Sequence, residues 1–235
     1  MPRKHWLIPE TAYRSYAEYL AAEGGSAVEK ARAAAPEAVV DELKRSGLRG
    51  RGGAGFPTGI KWASVRAQEC PTRYVVVNAA EGEPGTFKDR FLLRKNPYAV
   101  IEGLLIAAHA VEAKGAYIGL KASFRPEVER VRRALEEMRE VVGRFPVEVY
   151  EGPEEYLFGE EKGLLNAIEG EGPLPRAQGY VPYEWGLFAT ATSPNPAAAR
   201  AISALEKRIA ESRPTRPRKK AYTGSSANKA STHGY

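Results

Sequence analysis

Cysteine is nearly absent from this chain: its 235 residues include one, Cys70. A single cysteine excludes an intramolecular disulfide, and also any all-cysteine zinc or iron–sulfur site built by this chain alone. Histidine is scarce as well, and we assign no role to His5, His109 or His233. No serine–histidine–aspartate or cysteine–histidine constellation is visible, so the sequence offers no nucleophilic active site.

Long hydrophobic runs are also lacking. The longest apolar stretch, 99–111, is interrupted by Glu102 and His109 and falls short of the roughly 20 residues that a membrane span needs. The first ten residues have no apolar run typical of a signal peptide. We therefore expect a cytoplasmic protein without a direct membrane span, with a place at the periphery of a membrane complex left open.

Acidic residues are missing from the segment 212–235, which holds six basic ones. This tail carries the whole net charge of +6, because the other 29 basic residues equal the 29 acidic ones. Leucine, isoleucine, valine and phenylalanine are missing there too, so the tail cannot bury enough apolar surface to fold. We expect a disordered, solvated basic tail and do not favour binding to nucleic acid.

Helical and strand patterns alternate in the rest of the chain. Apolar, β-branched runs predict strands over 74–78, 115–120 and 145–150. Apolar spacings of three and four, with proline at helix starts, predict helices over 11–34, 36–47, 97–111, 126–141 and 160–168. This alternation predicts an α/β fold with a mainly parallel sheet and flanking helices. We expect a helical N-terminal segment (1–35), an α/β domain (36–190) and a helical extension (191–211) before the tail.

A glycine-rich loop is the most informative segment. Six glycines fall between Gly47 and Gly59, with Arg49, Arg51 and Lys61 among or beside them. Glycine lets backbone amides approach a ligand closely, and amides beside fixed cations can hold a phosphate group. The loop therefore predicts a phosphate-bearing ligand, although a flexible loop without a ligand would have the same composition.

Three of these glycines, Gly50, Gly52 and Gly55, match the pattern G-x-G-x-x-G. A dinucleotide-binding fingerprint needs a strand before the glycines and a helix after them. Here a predicted helix precedes the loop and Phe56-Pro57 follows it. We therefore reject an ordinary Rossmann site.

Acidic turns follow two of the predicted strands. Glu81 and Glu83 come after the first strand, and Glu160 and Glu161 come after the third. Ligands of parallel sheets bind at the carboxyl ends of strands, where carboxylates can accept hydrogen bonds from ribose hydroxyls or ring N–H groups. Acids at a helix start also complement the helix dipole, so the second pair alone favours a helix start over a site.

Together, three segments resemble the flavin-carrying, NADH-oxidising subunit of respiratory complex I and its relatives in hydrogenases and formate dehydrogenases. They are 50–62, 78–86 and 159–161, and the resemblance covers roughly residues 36–188. It implies an α/β domain that binds FMN and NAD(H) for hydride transfer, which needs positioning and a tuned flavin rather than a protein nucleophile.

Matching positions give the site residues that the resemblance implies. The residues implied for FMN are Gly50, Gly52, Lys61, Asn78, Glu81, Gly159, Glu160 and Glu161. Those implied for NADH are Phe56, against the adenine, and Glu83. The resemblance implies no catalytic side chain and, given the cysteine count, no iron–sulfur cluster or other metal on this chain. It implies an iron–sulfur electron-transfer subunit of a complex I-like, hydrogenase-like or formate dehydrogenase-like assembly as the partner.

The sequence also departs from the family pattern. Ala80 stands where the family has aspartate, Ser64 where an aromatic is frequent, and Lys162 where threonine follows the acid pair. After Phe188 the chain has neither the family's asparagine pair, which closes over FMN, nor its four cluster-binding cysteines. Two hypotheses therefore stay open: an electron-input module that passes electrons from NADH to a partner, or a truncated, catalytically impaired relative that only binds nucleotide or docks to another subunit.

Overall fold

A parallel sheet forms the centre of the molecule, as predicted. The computed structural model describes residues 7–50, 55–175, 187 and 191–194. Its strands are β1 (Arg73–Asn78), β2 (Gly115–Lys121), β3 (Val147–Gly152) and β4 (Ala191–Pro194). They pair in the order β3-β2-β1-β4, and every pairing is parallel. In the register of the central pair, Val76 lies opposite Tyr117.

Helices cover both faces of this sheet. They are α1 (Tyr16–Ala21), α2 (Ser26–Ala33), α3 (Pro36–Ser46), α4 (Thr58–Ala67), α5 (Lys88–Lys95), α6 (Pro97–Val111), α7 (Arg125–Glu137), α8 (Arg139–Val142) and α9 (Glu161–Ile168). A 3₁₀ helix, Tyr156–Gly159, precedes α9. The α6 helix begins as the sequence predicts: the Asn96 side chain accepts a hydrogen bond from the Ala99 N–H, and proline occupies the first turn.

The strand β1 separates two apolar clusters. Val75 and Val77 belong to the larger cluster, with α6 and its neighbours. Val76 belongs to the smaller one, with Phe158 and Leu164. Successive side chains of a strand point to opposite faces, so this alternation shows a sheet that is buried on both sides, as is typical of α/β domains.

The N-terminal helices are part of the larger cluster rather than a separate unit. Tyr19 and Val28 are buried there, and the Glu102 carboxylate of α6 holds both helices. That carboxylate accepts hydrogen bonds from the Tyr19 hydroxyl and from the backbone N–H groups of Gly25, Ala27 and Val28. A buried carboxylate with four donors ties α2 to the centre of the fold.

Several predicted boundaries were wrong. The helix predicted over 11–34 is two helices, because Glu23 and Gly25 adopt positive φ angles of 68° and 84° between them. The third strand begins two residues later than predicted, and the helix predicted over 126–141 is divided between α7 and α8. Helices α4 and α5 were not predicted.

The C-terminal region differs from expectation where it is described. The segment 191–211, expected to be helical, begins with the strand β4 at Ala191–Pro194, which extends the sheet beside β1. The remainder of that segment and the basic tail 212–235 lie outside the described residues.

Candidate functional site

The candidate site lies at the edge where the strands end. Because the sheet is parallel, the carboxyl ends of β1 at Asn78, β2 at Lys121 and β3 at Gly152 share one edge. The two acidic turns found in the sequence leave β1 and β3 at this edge. This is where ligands bind in open parallel sheets.

The glycine-rich loop connects α3 and α4, and two backbone hydrogen bonds join its ends; we call these joined ends the neck of the loop. The Gly50 N–H donates to the Phe56 carbonyl at 2.8 Å, and the Thr58 N–H donates to the Leu48 carbonyl at 2.8 Å. Gly47 ends α3 in the left-handed conformation, with φ of 64°. The tip of the loop, 51–54, contains the predicted FMN residue Gly52 and lies outside the described residues. The described residues on either side of the tip determine where its two ends lie.

Helix α4 follows the loop, so the expectation that no helix comes after the glycines was wrong. A helix rather than a strand still precedes them, so the rejection of an ordinary Rossmann arrangement stands. The N-cap residue of α4, Pro57, makes no side-chain capping hydrogen bond, and the first turn of α4 has no acidic residue. An uncapped helix N-terminus beside glycine backbone is a favourable place for an anion.

Two close contacts place α4 and its lysine. A Cβ atom on Gly59 would lie 2.6 Å from the Lys44 backbone nitrogen, so only glycine allows α4 to approach α3 this closely. From this position the Lys61 ammonium forms an ion pair with Glu161, with Nζ and Oε2 2.9 Å apart. The pair joins the glycine-loop segment to the segment 159–161.

The end of β1 contacts the 3₁₀ helix directly. The Asn78 Nδ2 donates to the Gly159 carbonyl at 2.8 Å, and its Oδ1 accepts from the Ala80 N–H at 3.2 Å. A Cβ atom on Gly159 would lie 2.7 Å from the Ala80 carbonyl oxygen. The structure therefore brings the second and third predicted segments together.

The two acids before α9 have different partners. Glu160 is the N-cap, and its Oε2 accepts from the N–H groups of Lys162 and Gly163 at 2.8 and 2.9 Å. This contact confirms that the segment is a helix start. Glu161 instead extends to Lys61.

Glu81 has partners that the sequence did not lead us to expect. Its side chain is 2% exposed and accepts from the Asp89 N–H at 3.2 Å and the Arg90 Nε at 3.3 Å. Both donors belong to the first turn of α5, a helix we had not predicted. The Glu81 carboxylate therefore stabilises the start of α5.

An exposed aromatic residue, Tyr156, completes the edge. Its hydroxyl donates to Glu83 Oε2 at 2.7 Å, and this hydrogen bond to a carboxylate raises the pKa of the Tyr156 hydroxyl. Tyr156 and Phe56 are 59% and 50% exposed. The sequence had selected Phe56 and Glu83 but not Tyr156, whose one signal was an aromatic residue shortly before Gly159.

Metal-binding and membrane-spanning features are both missing from the part of the chain that the structure describes. No group of three or more histidine, cysteine, aspartate or glutamate side chains there could hold a metal ion. No described helix is both long enough and apolar enough to cross a bilayer.

A family model described as the Nuo51 FMN-binding domain matches residues 43–204. An NADH-quinone oxidoreductase subunit of Rhizobium meliloti is 38% identical over 167 residues, covering 67% of this chain and 40% of the relative. The corresponding NADH-quinone oxidoreductase subunit of Aquifex aeolicus is 39% identical over 188 residues, covering 76% of this chain and 44% of the relative.

Solved structures give the same picture. An NAD⁺-reducing [NiFe]-hydrogenase in its air-oxidised state superposes with a TM-score of 0.73 at 32% identity, covering 83% of this chain and 34% of that one. Its H₂-reduced state gives a TM-score of 0.72. The chain thus spans about two fifths of the length of the two oxidoreductase relatives and about a third of the hydrogenase chain.

Proposed function

Because this chain belongs to the Nuo51 FMN-binding domain family, we propose that it is an FMN-dependent electron-input module that takes electrons from NADH. The observation that carries the proposal is the convergence of three separate sequence segments at one sheet edge. Lys61 reaches Glu161, and Asn78 reaches Gly159, so residues far apart in the chain form one wall.

The described residues fit FMN. The N-terminus of α4, where Pro57 supplies no side-chain cap, suits the FMN phosphate, since a helix N-terminus presents N–H groups to an anion. Asn78 has two N–H donors on its amide, and the Gly159 carbonyl uses one of them. The second N–H has no partner among the residues that the structure describes, and we assign it to a flavin carbonyl. Lys61, Glu160 and the backbone of Gly159 would line the remaining length.

Glu81 contributes to this pocket indirectly, through its contacts with α5. Its carboxylate is buried and hydrogen-bonded to α5. We therefore propose that Glu81 positions the turn between β1 and α5. A hydrogen bond to the flavin would then come from the backbone of this turn. Gly50 supports the neck of the loop in the same way, and Gly52 is assigned to the loop tip by its sequence match alone.

The exposed aromatic rings suit the nicotinamide nucleotide. Phe56 offers an exposed ring face for stacking on adenine, and Glu83, bonded to the Tyr156 hydroxyl, offers carboxylate oxygens to ribose hydroxyls. When bound, FMN would supply the chemistry of two-electron uptake from hydride and one-electron release. The protein would hold the nicotinamide ring against the flavin ring. We propose that an iron–sulfur partner subunit receives the electrons.

Fluorescence titration of FMN with the purified chain tests the proposal. Wild-type protein should quench flavin fluorescence saturably and gain thermal stability with FMN. Lys61→Met should weaken FMN binding about tenfold, the effect expected for one charge-assisted hydrogen bond. Lys114→Met is the matched control, because Lys114 is exposed at the opposite end of β2 and should leave binding unchanged.

Two results would contradict the proposal in different ways. A wild-type chain that neither quenches FMN nor gains stability would remove flavin binding altogether. A chain that binds FMN but does not pass electrons from NADH would support the second hypothesis, a nucleotide-binding or docking relative. The substitution of aspartate by Ala80 is the feature that favours this outcome.

A further inference from the structure

Lys121, at the end of β2, is a buried charged residue at the same sheet edge. Only 7% of the residue is exposed. Its Nζ donates to the Glu154 carbonyl at 2.9 Å, which is its one hydrogen-bond partner among the described residues. An ammonium group has three donors, and burying it with one acceptor costs free energy. Such a placement is expected where the lysine has a specific task.

The lysine fills the space between the two turns that form the nucleotide side of the site. A Cβ atom on Gly82 would lie 3.3 Å from the Lys121 Nζ and 3.4 Å from the Tyr156 carbonyl oxygen. Gly82 is the residue between Glu81 and Glu83. The ammonium therefore lies close to Gly82, in the turn after β1, while it is bonded to the turn after β3.

A second residue near the end of β2, Ser123, also binds the turn after β3. The Glu154 carboxylate accepts from the Ser123 N–H at 2.9 Å and from the Ser123 hydroxyl at 2.6 Å. The hydroxyl bond contributes most to lowering the pKa of Glu154. Lys121 and Ser123 thus fix the main chain and the side chain of one residue, two positions before Tyr156.

We propose that Lys121 is a positioning residue for NAD(H): it holds the 154–156 turn against Gly82, so that Tyr156 and Glu83 meet and present one hydrogen-bonded face to the nucleotide. The inference rests on the proposed function. It assigns the lysine to the nucleotide side, because its hydrogen bond and its approach to Gly82 lie with the two turns that carry Glu83 and Tyr156.

The test uses the full chain loaded with FMN. Variants Lys121→Met and Lys121→Arg are compared with wild type and with Lys114→Met, which changes the exposed lysine directly before the same strand. Two quantities are measured: FMN affinity by fluorescence, and the NADH concentration that half-saturates anaerobic bleaching of the flavin absorbance. Lys121→Met should raise that NADH concentration about tenfold and change the limiting rate and FMN affinity by less than about twofold. Lys121→Arg should recover most of the loss.

A double-mutant cycle tests whether Lys121 acts through Tyr156. If it does, Lys121→Met combined with Tyr156→Phe should cost no more NADH affinity than the worse single variant. Gly82→Ala tests the approach of Lys121 to Gly82 while it retains the lysine charge, since the added methyl group would press on the ammonium. This variant should also raise the half-saturating NADH concentration.

The outcomes separate this inference from the proposed function. Unchanged NADH dependence in Lys121→Met, an equal loss of FMN affinity, or additive losses in the double variant would each overturn the positioning role while FMN binding by wild type still supports the module. A wild-type chain that does not bind FMN would refute the proposed function itself, and the inference with it.

Discussion

Gly159→Ala is the substitution whose effect the structure defines most sharply. The added methyl group would lie 2.7 Å from the Ala80 carbonyl oxygen, about 0.7 Å closer than the 3.4 Å at which ordinary van der Waals contact begins. The obstacle is backbone at the end of β1, not a flexible side chain. The two segments must therefore separate, and the hydrogen bond from Asn78 to the Gly159 carbonyl lengthens with them.

The expected cost combines two effects. Overpacking of this size costs about 1–3 kcal/mol, and one weakened hydrogen bond costs about 1 kcal/mol. We expect a loss of about 2–4 kcal/mol in the free energy of unfolding, measured by urea denaturation with circular dichroism. FMN affinity should fall at least about tenfold, because the proposed pocket includes both displaced segments.

Gly172→Ala is the matched control. No atom of the described residues lies within 4 Å of a Cβ atom there, so stability and FMN affinity should be nearly unchanged. If the Gly159 and Gly172 variants behave alike in both measurements, the contact between β1 and the 3₁₀ helix does not form the pocket wall, and the reasoning fails.

Three other predictions concern separate parts of the molecule. Glu102→Ala removes the acceptor of four buried donors and should lower the free energy of unfolding by at least about 3 kcal/mol, whereas the exposed Glu29→Ala should change it little in the same urea titration. Burial by itself raises the pKa of Glu137. Hydrogen bonds, first among them the one from the Tyr98 hydroxyl, outweigh burial, so the pKa of Glu137 lies below its usual 4.5. Its stabilisation is therefore present above about pH 4.5 and lost as the pH falls, so Glu137→Gln should flatten the acid limb of thermal stability against pH; an unchanged limb would contradict this. Phe56→Ala should raise the half-saturating NADH concentration about fivefold, the equivalent of one aromatic contact, and leave FMN affinity unaltered; equal losses of both would misplace the nucleotide.

Strands and long helices could be predicted because their patterns are strong. The β-branched run at 74–78 and the apolar face of 97–111 correspond to β1 and α6 within a residue. Helix α5 was missed because Lys88–Lys95 is mostly charged and its one buried residue, Leu93, gives no apolar repeat. Helix α4 was missed because Phe56-Pro57 suggested an interruption, although proline before a helix is compatible with a start.

That the candidate residues lie near one another was easier to predict than the contacts that each of them makes. The resemblance placed Lys61, Asn78 and Glu161 in one candidate site, and in the structure Lys61 contacts Glu161 and Asn78 contacts Gly159. The sequence could not show that Glu81 faces α5, since that depends on a helix whose pattern is weak. It also could not single out Lys121, because a buried lysine at a strand end becomes visible only through tertiary contacts.

The most direct test of the proposed module is anaerobic addition of NADH to the FMN-loaded chain, with the visible absorbance of the flavin as the readout. The proposal predicts that one equivalent of NADH bleaches one equivalent of bound flavin, and that an added one-electron acceptor restores the colour. A protein that binds FMN tightly yet keeps the absorbance of oxidised flavin in excess NADH would contradict it.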